Sequence, residues 1–159
     1  MVRNVRHFGI VVRDVERSLR FYRDLLGLKI VKVAMESGPY IDNILALDHV
    51  SVKTVKMAAG EGETLLELLE FVSHPRHFDP GREICSLGPS HLAFTVENVD
   101  SLYEQLSLSG VSFNGPPQVS PDGYARVAFC KDPDGSSIEL VEVIGGGGLK
   151  TSSVYGRSQ

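Results

Sequence analysis

The sequence predicts an α+β fold built from two copies of a strand–helix–three-strand unit, and three observations carry that prediction. An apolar strand interrupted by glutamates occurs twice, as Thr64-Leu65-Leu66-Glu67-Leu68-Leu69-Glu70-Phe71 and as Ser137-Ile138-Glu139-Leu140-Val141-Glu142-Val143. Well before each copy lies an alternating stretch that includes a histidine, Val5 to Val12 and His91 to Val96. Each of those is followed by an N-capping residue, a run of apolar positions at helical spacing, and a glycine.

Taken in order, His7, Gly9 and Val11 point to one side of the first strand, while Phe8, Ile10 and Val12 point to the other. Asp14 offers an N-cap for a helix bearing Val15, Leu19, Tyr22 and Leu26, which Gly27 ends. Leu28 to Ala34 is β-branched and strand-like. Ser37-Gly38-Pro39 breaks the chain, and Tyr40 to Leu45 reads as a short helical turn. Val50 to Met57 alternates with Lys53 and Lys56 outside, and Ala59-Gly60-Glu61-Gly62 turns the chain into the Glu67 strand. This first module spans residues 4–72.

Residues 73–89, rich in proline, glycine and charge, read as a linker. The second module, residues 90–144, repeats the pattern. Asn98 caps a helix with Val99, Leu102, Tyr103 and Leu106, and Gly110 stops it. Val111-Ser112-Phe113 restarts a strand, and Ser120 to Gly123 makes a turn. Ala125 to Lys131 is a strand, Asp132-Pro133-Asp134-Gly135 a second turn, and the Glu139 strand closes the module. Residues 145–159 read as a flexible tail. Aligning the modules sets His7 against His91, Gly9 against Ala93, Asp14 against Asn98 and Glu67 against Glu139. The first module is about twelve residues longer, nearly all of it between Met35 and Val50.

With 159 residues, 42% apolar and 23% charged, the chain has the size and composition of one soluble domain. A net charge of −4 without a Lys/Arg block argues against a nucleic-acid surface. No apolar run approaches a membrane span, and Met1-Val2-Arg3-Asn4 opens no signal peptide. Cys85 and Cys130 are isolated and read as reduced thiols, so a cytoplasmic location is expected.

A carboxylate inside an apolar strand costs several kcal/mol to desolvate unless an opposite charge meets it. Glu67 and Glu139 occupy matching places, as do His7 and His91. If the first and last strands of each module are neighbours, two imidazoles and two carboxylates become available to one divalent cation. Such a mixed nitrogen and oxygen set suits Zn, Ni, Co, Mn or Fe(II) rather than calcium, and four protein ligands leave two open positions in an octahedron.

His7 to Asp14, Phe21-Tyr22-Arg23-Asp24-Leu25-Leu26-Gly27-Leu28, and Asp132-Pro133-Asp134-Gly135 with Ile138-Glu139-Leu140 resemble the vicinal-oxygen-chelate superfamily. Its members include glyoxalase I, methylmalonyl-CoA epimerase, extradiol dioxygenases, fosfomycin-resistance enzymes and bleomycin-binding proteins. The resemblance covers residues 4–143. It implies paired βαβββ modules curving into a cup, a metal on the cup floor held by His7, Glu67, His91 and Glu139, and a small oxygenated substrate. A homodimer is expected, with the modules pairing within one chain or across two.

Departures from the members narrow the reading. A ring-cleaving Fe(II) dioxygenase of this superfamily is usually about twice as long, and Glu67 would be a superfluous ligand in it. Glyoxalase I carries an asparagine on the strand equivalent to Glu67 to hold glutathione, and Leu68-Leu69-Glu70-Phe71 offers none. Methylmalonyl-CoA epimerase has a histidine pair where this chain has Ser90-His91. What remains is a metal-dependent isomerase, epimerase or lyase that abstracts a proton beside a carbonyl through a metal-stabilised enolate or enediolate. Glu67 or Glu139 is the base, with Glu139 favoured by resemblance to glyoxalase. The alternatives are a metal-poor antibiotic- or metabolite-binding protein in the same cup, or the Fe(II) dioxygenase.

Other chemically capable residues carry plainer expectations. His74-Pro75-Arg76-His77-Phe78-Asp79 reads as a solvated loop and His49 as a surface residue. Glu70 and Glu142 are expected to face solvent, on the strand face opposite Glu67 and Glu139. Tyr124 and Arg126 are placed on a strand bordering the site, either packing or recognising an anion. Phe21 and Tyr22 pack the helix on the sheet, and Cys130 is a small buried residue.

Overall fold

The computed structural model describes residues 1–60, 62–75 and 83–145. It divides into two compact units: Met1–Ser90 with Lys131–Ser136, and His91–Cys130 with Ser137–Gln159.

Unit 1 contains strands β1 (His7–Val11), β2 (Lys29–Ser37), β3 (Ser51–Ala58) and β4 (Leu65–Phe71), in the sheet order β1-β4-β3-β2. β1 runs parallel to β4, and the other two pairs are antiparallel. Helix α1 (Val15–Leu19) begins at Asp14, whose carboxylate accepts the Arg17 amide at 2.9 Å. It continues as a π-helical stretch, Arg20–Leu25, with the Leu26 amide donating to the Phe21 carbonyl five residues back. The neighbours Phe21 and Tyr22 are both buried there, their rings edge to face at 4.9 Å. Gly27 then takes φ = +77°, a conformation that ends the helix and that glycine adopts without a Cβ penalty.

α1 lies against β4, on the face where Ile10, Val12, Val55, Met57, Leu66 and Leu68 are buried. Each such side chain contributes about 1.5–3 kcal/mol by leaving water. The segment that lengthens the first module forms α2 (Pro39–Leu45). Its Ile41 packs with Val50 and Val52, and with Leu69 and Phe71 at the far end of the opposite face. Asp42 closes this insertion by accepting the Val50 amide at 2.7 Å.

Unit 2 repeats the layout with β5 (Leu92–Thr95), β6 (Gln118–Val119), β7 (Ala125–Lys131) and β8 (Ser137–Val143), in the order β5-β8-β7-β6. β5 and β8 are parallel. Helix α3 (Val99–Leu108) starts at Asn98, whose side chain accepts the Ser101 amide at 2.9 Å. The strand expected from Val111 is reduced to one bridge, Phe113 with Cys130, before two-residue β6. Gly115-Pro116-Pro117 lies between them, and prolines have no amide for a ladder.

The fold is therefore α+β, two four-stranded mixed sheets with their helices, as the duplication predicts. The tail from residue 146 and the segment 76–82 lie outside the described residues. No helix among the described residues is long and apolar enough to cross a membrane.

Candidate metal centre

The parallel pairing of first and last strands fixes the geometry of each unit. In unit 1, Gly9 lies opposite Glu67 and His7 opposite Leu65. His7 and Glu67 therefore share a face one step apart, and His7 Nε2 reaches Glu67 Oε2 at 3.1 Å. Gly9 leaves room between the two strands. A Cβ there would meet Leu69 Cδ1 at 3.1 Å, tighter than ordinary van der Waals packing.

Unit 2 reproduces the arrangement atom for atom. Ala93 lies opposite Glu139, and His91 Nε2 reaches Glu139 Oε2 at 3.1 Å. Both histidine side chains are 37% exposed, so each pair opens to solvent through its imidazole.

The surroundings of the two pairs differ. Glu67 is 7% exposed and its second oxygen lies 3.3 Å from Lys56 Nζ. The carboxylate is thus compensated on both oxygens, as a buried charge must be. Lys56, expected outside, is opposite Glu67 in register and projects onto the same face. Lys53 projects the other way, to Glu16 of α1 at 2.9 Å. Two residues three apart on a strand cannot share a face; that parity was readable from the sequence, but which lysine met Glu67 required the strand register. In unit 2, the Phe129 ring packs edge to face on His91 at 5.3 Å. Among the described residues Glu139 pairs with the His91 imidazole, and no lysine lies against it as Lys56 lies against Glu67.

The second glutamate of each strand corrects an expectation. Glu70 and Glu142 do not simply face solvent. Glu70 accepts the Val15 amide at 3.1 Å and Glu142 the Val99 amide at 3.0 Å, each at the first turn of its unit's helix. The spacing Glu-x-x-Glu therefore has one meaning in both units. The first carboxylate faces the histidine, and the second, on the opposite pleat, satisfies a helix amide with no partner inside the helix.

Arg126 belongs to the helix side of unit 2. Its guanidinium meets Asp100 of α3 at 2.8 Å. Tyr124 sits in the turn before β7, its amide donating to Asp122. His49 is exposed in the loop before β3 at φ = +56°. His74 is partly buried, with Nδ1 2.8 Å from Ser73 Oγ, and the rest of its loop, from Arg76 to Asp79, lies outside the described residues. Cys130 is buried, as expected.

The family model of the Glyoxalase/Bleomycin resistance protein/Dioxygenase superfamily matches residues 4–140. The chain belongs to this superfamily. A glyoxalase-family protein from Bacillus cereus has the same fold, with a TM-score of 0.81 at 24% identity over 91% of this chain and 96% of that one. The lactoylglutathione lyase of Schizosaccharomyces pombe is 30% identical over 142 residues, 86% of this chain; the chain spans about half of that protein's length, 46%. The lactoylglutathione lyase of Salmonella typhimurium is 27% identical over 138 residues, 86% of this chain and 90% of that protein.

Membership of the glyoxalase superfamily raises the question whether the two His–Glu pairs fit a cation. Two ligand atoms each about 2.1 Å from one ion lie about 3.0 Å apart at a right angle and about 3.4 Å apart at the tetrahedral angle. The observed 3.1 Å between imidazole nitrogen and carboxylate oxygen matches adjacent octahedral ligands in both units. The donor set fits. Among the described residues no group of three or more His, Cys, Asp or Glu side chains is close enough to hold an ion, so each unit presents a pair.

Proposed function

We propose that the chain is a metal-dependent isomerase, epimerase or lyase that removes a proton beside a carbonyl of a small oxygenated substrate. His7, Glu67, His91 and Glu139 would hold one divalent ion, Zn, Ni, Co, Mn or Fe, with the two pairs supplied by one chain or by two chains of a homodimer. When bound, the ion supplies electrophilic stabilisation of the negative charge that develops on the carbonyl oxygen.

The observation that carries this reading is the recurrence of one His Nε2–Glu Oε2 pair, at one distance, on the same strands of both units. The duplication sets the pair at matching places, and in both units the imidazole side is open to solvent, as two halves of one coordination sphere require. Likeness to lactoylglutathione lyases supports the reading further.

The two glutamates are unequal candidates for the base. Glu67 is buried, with one oxygen against His7 and the other against Lys56, which leaves neither oxygen open to a substrate. Glu139 has 21% of its side chain exposed and is the freer carboxylate to accept the substrate proton and return it. The Phe129 ring packs edge to face on His91 and fixes the orientation of that imidazole beside Glu139.

Elemental analysis of the purified full chain tests the site: a stoichiometric divalent metal is expected, lost on His91→Ala or His7→Ala. Turnover of lactoylglutathione, 2-oxo acids, acyl-CoA esters and keto-sugars in deuterium oxide tests the chemistry. One class is expected to gain deuterium beside its carbonyl, and Glu139→Gln to slow that exchange by about 10²–10⁴-fold. A metal-loaded protein that leaves every one of these substrates unexchanged overturns the proton-abstraction reading.

A further inference from the structure

The face of unit 1 that carries His7 and Glu67 continues across the sheet into a basic corner. Glu67 is opposite Lys56, and Lys56 is opposite Lys32 on β2. One step along β3, Ala58 is opposite Lys29. Ala58 and Lys56 are two residues apart and project to one face, and directly opposed residues share a face. Lys29 and Lys32 therefore join Lys56 and Glu67 on the same side.

A regular strand could not achieve this, because residues 29 and 32 are three apart and would project to opposite faces. The ladder shifts register between Ile30 and Lys32, and the extra residue, Val31, returns Lys32 to the side of Lys29. A bulge of this kind re-aims a side chain, here to place an ammonium directly across from another ammonium. Like charges at directly opposed positions destabilise a sheet. Among the described residues Lys29 and Lys32 form no ion pair that would offset the cost. Edge strands do use lysine to deter pairing with other chains. That use accounts for lysines on β2 but not for their alignment with Lys56, which lies inside the sheet and touches Glu67 at 3.3 Å.

Among the described residues the matching face of unit 2, beside His91, carries fewer cations. Gln118, Val127 and Phe129 lie on the His91 side of β6 and β7 and are uncharged, and Lys131, two residues beyond Phe129 at the end of β7, is the cation of that parity. The arginine of β7, Arg126, faces α3. The duplication has thus kept the His–Glu pair in both halves and gathered three lysines on the Glu67 face of unit 1, one of them directly opposite Glu67.

We propose that Lys29, Lys32 and Lys56 form an anion-recognition corner beside the His7–Glu67 pair, so that the substrate carries a carboxylate or a phosphate on the side bound by unit 1. This deepens the proton-abstraction reading by naming the charge of its substrate, and rests on that reading only for calling the ligand a substrate. Lys56 donates nearest the pair, and Lys29 and Lys32 close the corner from the sheet edge.

Pyruvate and inorganic phosphate are the probes, titrated into the full chain with and without bound divalent metal and followed by calorimetry and by the lysine ε-carbon resonances. Saturable binding of at least one anion is expected, weakening as salt is raised. A Lys29→Met/Lys32→Met double variant is expected to lose affinity about tenfold, the scale of one charge-assisted hydrogen bond. Lys56→Met is expected to lose at least as much, while uncharged pyruvamide binds wild type and variants alike. Preference between pyruvate and phosphate distinguishes a carboxylate substrate from a phosphorylated one. Metal affinity, measured on the same samples, is expected to be unchanged in the double variant. Loss of anion binding in a protein that takes up no metal upholds the corner and removes the metal reading. Anion affinity equal in wild type and all lysine variants, or no anion binding at all, overturns the corner, and self-association of the double variant would then mark the β2 lysines as edge guards.

Discussion

Asp132 is 4% exposed, and its carboxylate accepts three hydrogen bonds: from Tyr22 Oη at 2.8 Å, the Asp134 amide at 2.9 Å and the Ser136 amide at 2.7 Å. Arg13 and Arg17 grip the same turn through Asp134 and the Pro133 carbonyl. Burial pushes the Asp132 carboxyl above its ordinary value of 3.8, against the lowering effect of those hydrogen bonds. The folded state therefore holds this proton to higher pH than the unfolded state does. The contribution is present in full below the unfolded value and is lost as pH rises through the raised folded value. Asp132→Asn keeps the acceptor for both amides and has no charge to desolvate. Its melting temperature is expected to rise relative to wild type between about pH 4 and pH 7, measured by calorimetry across that range. Asp132→Ala abandons all three donors and is expected to cost about 1–3 kcal/mol by denaturant titration.

At the scale of elements, the helix on each sheet is held by the strand that also presents the site glutamate. α1 has only five residues, too short to persist alone, and two carboxylates, Asp14 and Glu70, satisfy its first amides. α3 uses Asn98 and Glu142 in the same way. Glu70→Ala and Glu142→Ala are each expected to destabilise by about 0.5–2 kcal/mol, with faster amide exchange at the helix start. Metal content is expected to stay unchanged, because these carboxylates lie on the opposite pleat from the His–Glu pairs. A metal loss as large as that of His91→Ala would contradict this division of labour between the two glutamates.

Across the whole molecule, the duplication repeats a chemical pair in two different electrostatic settings. Removing Glu67 leaves Lys56 partly buried without its carboxylate, whereas Glu139 is more exposed and, among the described residues, pairs with the His91 imidazole. In the metal-free protein, Glu67→Ala is expected to cost about 1–3 kcal/mol, and Glu139→Ala under about 1 kcal/mol, by urea titration. Equal costs would show that Lys56 contributes nothing at Glu67. Once metal is bound, both substitutions are expected to lower its affinity, since each removes one ligand.

The sequence by itself determined the repeat, the α+β class, the caps at Asp14 and Asn98, and the matching His7–His91 and Glu67–Glu139 positions, because alternation and capping are local signals printed in residue order. It also placed His7 with Gly9 and His91 with Ala93, whose small neighbours leave space beside each histidine. The tertiary structure alone decided that Glu70 and Glu142 cap helices, that Lys56 meets Glu67, that Asp132 is buried against Tyr22, and that a bulge at Val31 turns Lys32 to the side of Lys29. Each of those depends on strand register or on contact between distant segments, and a one-residue shift of register exchanges the two faces of a strand without changing a letter of the sequence.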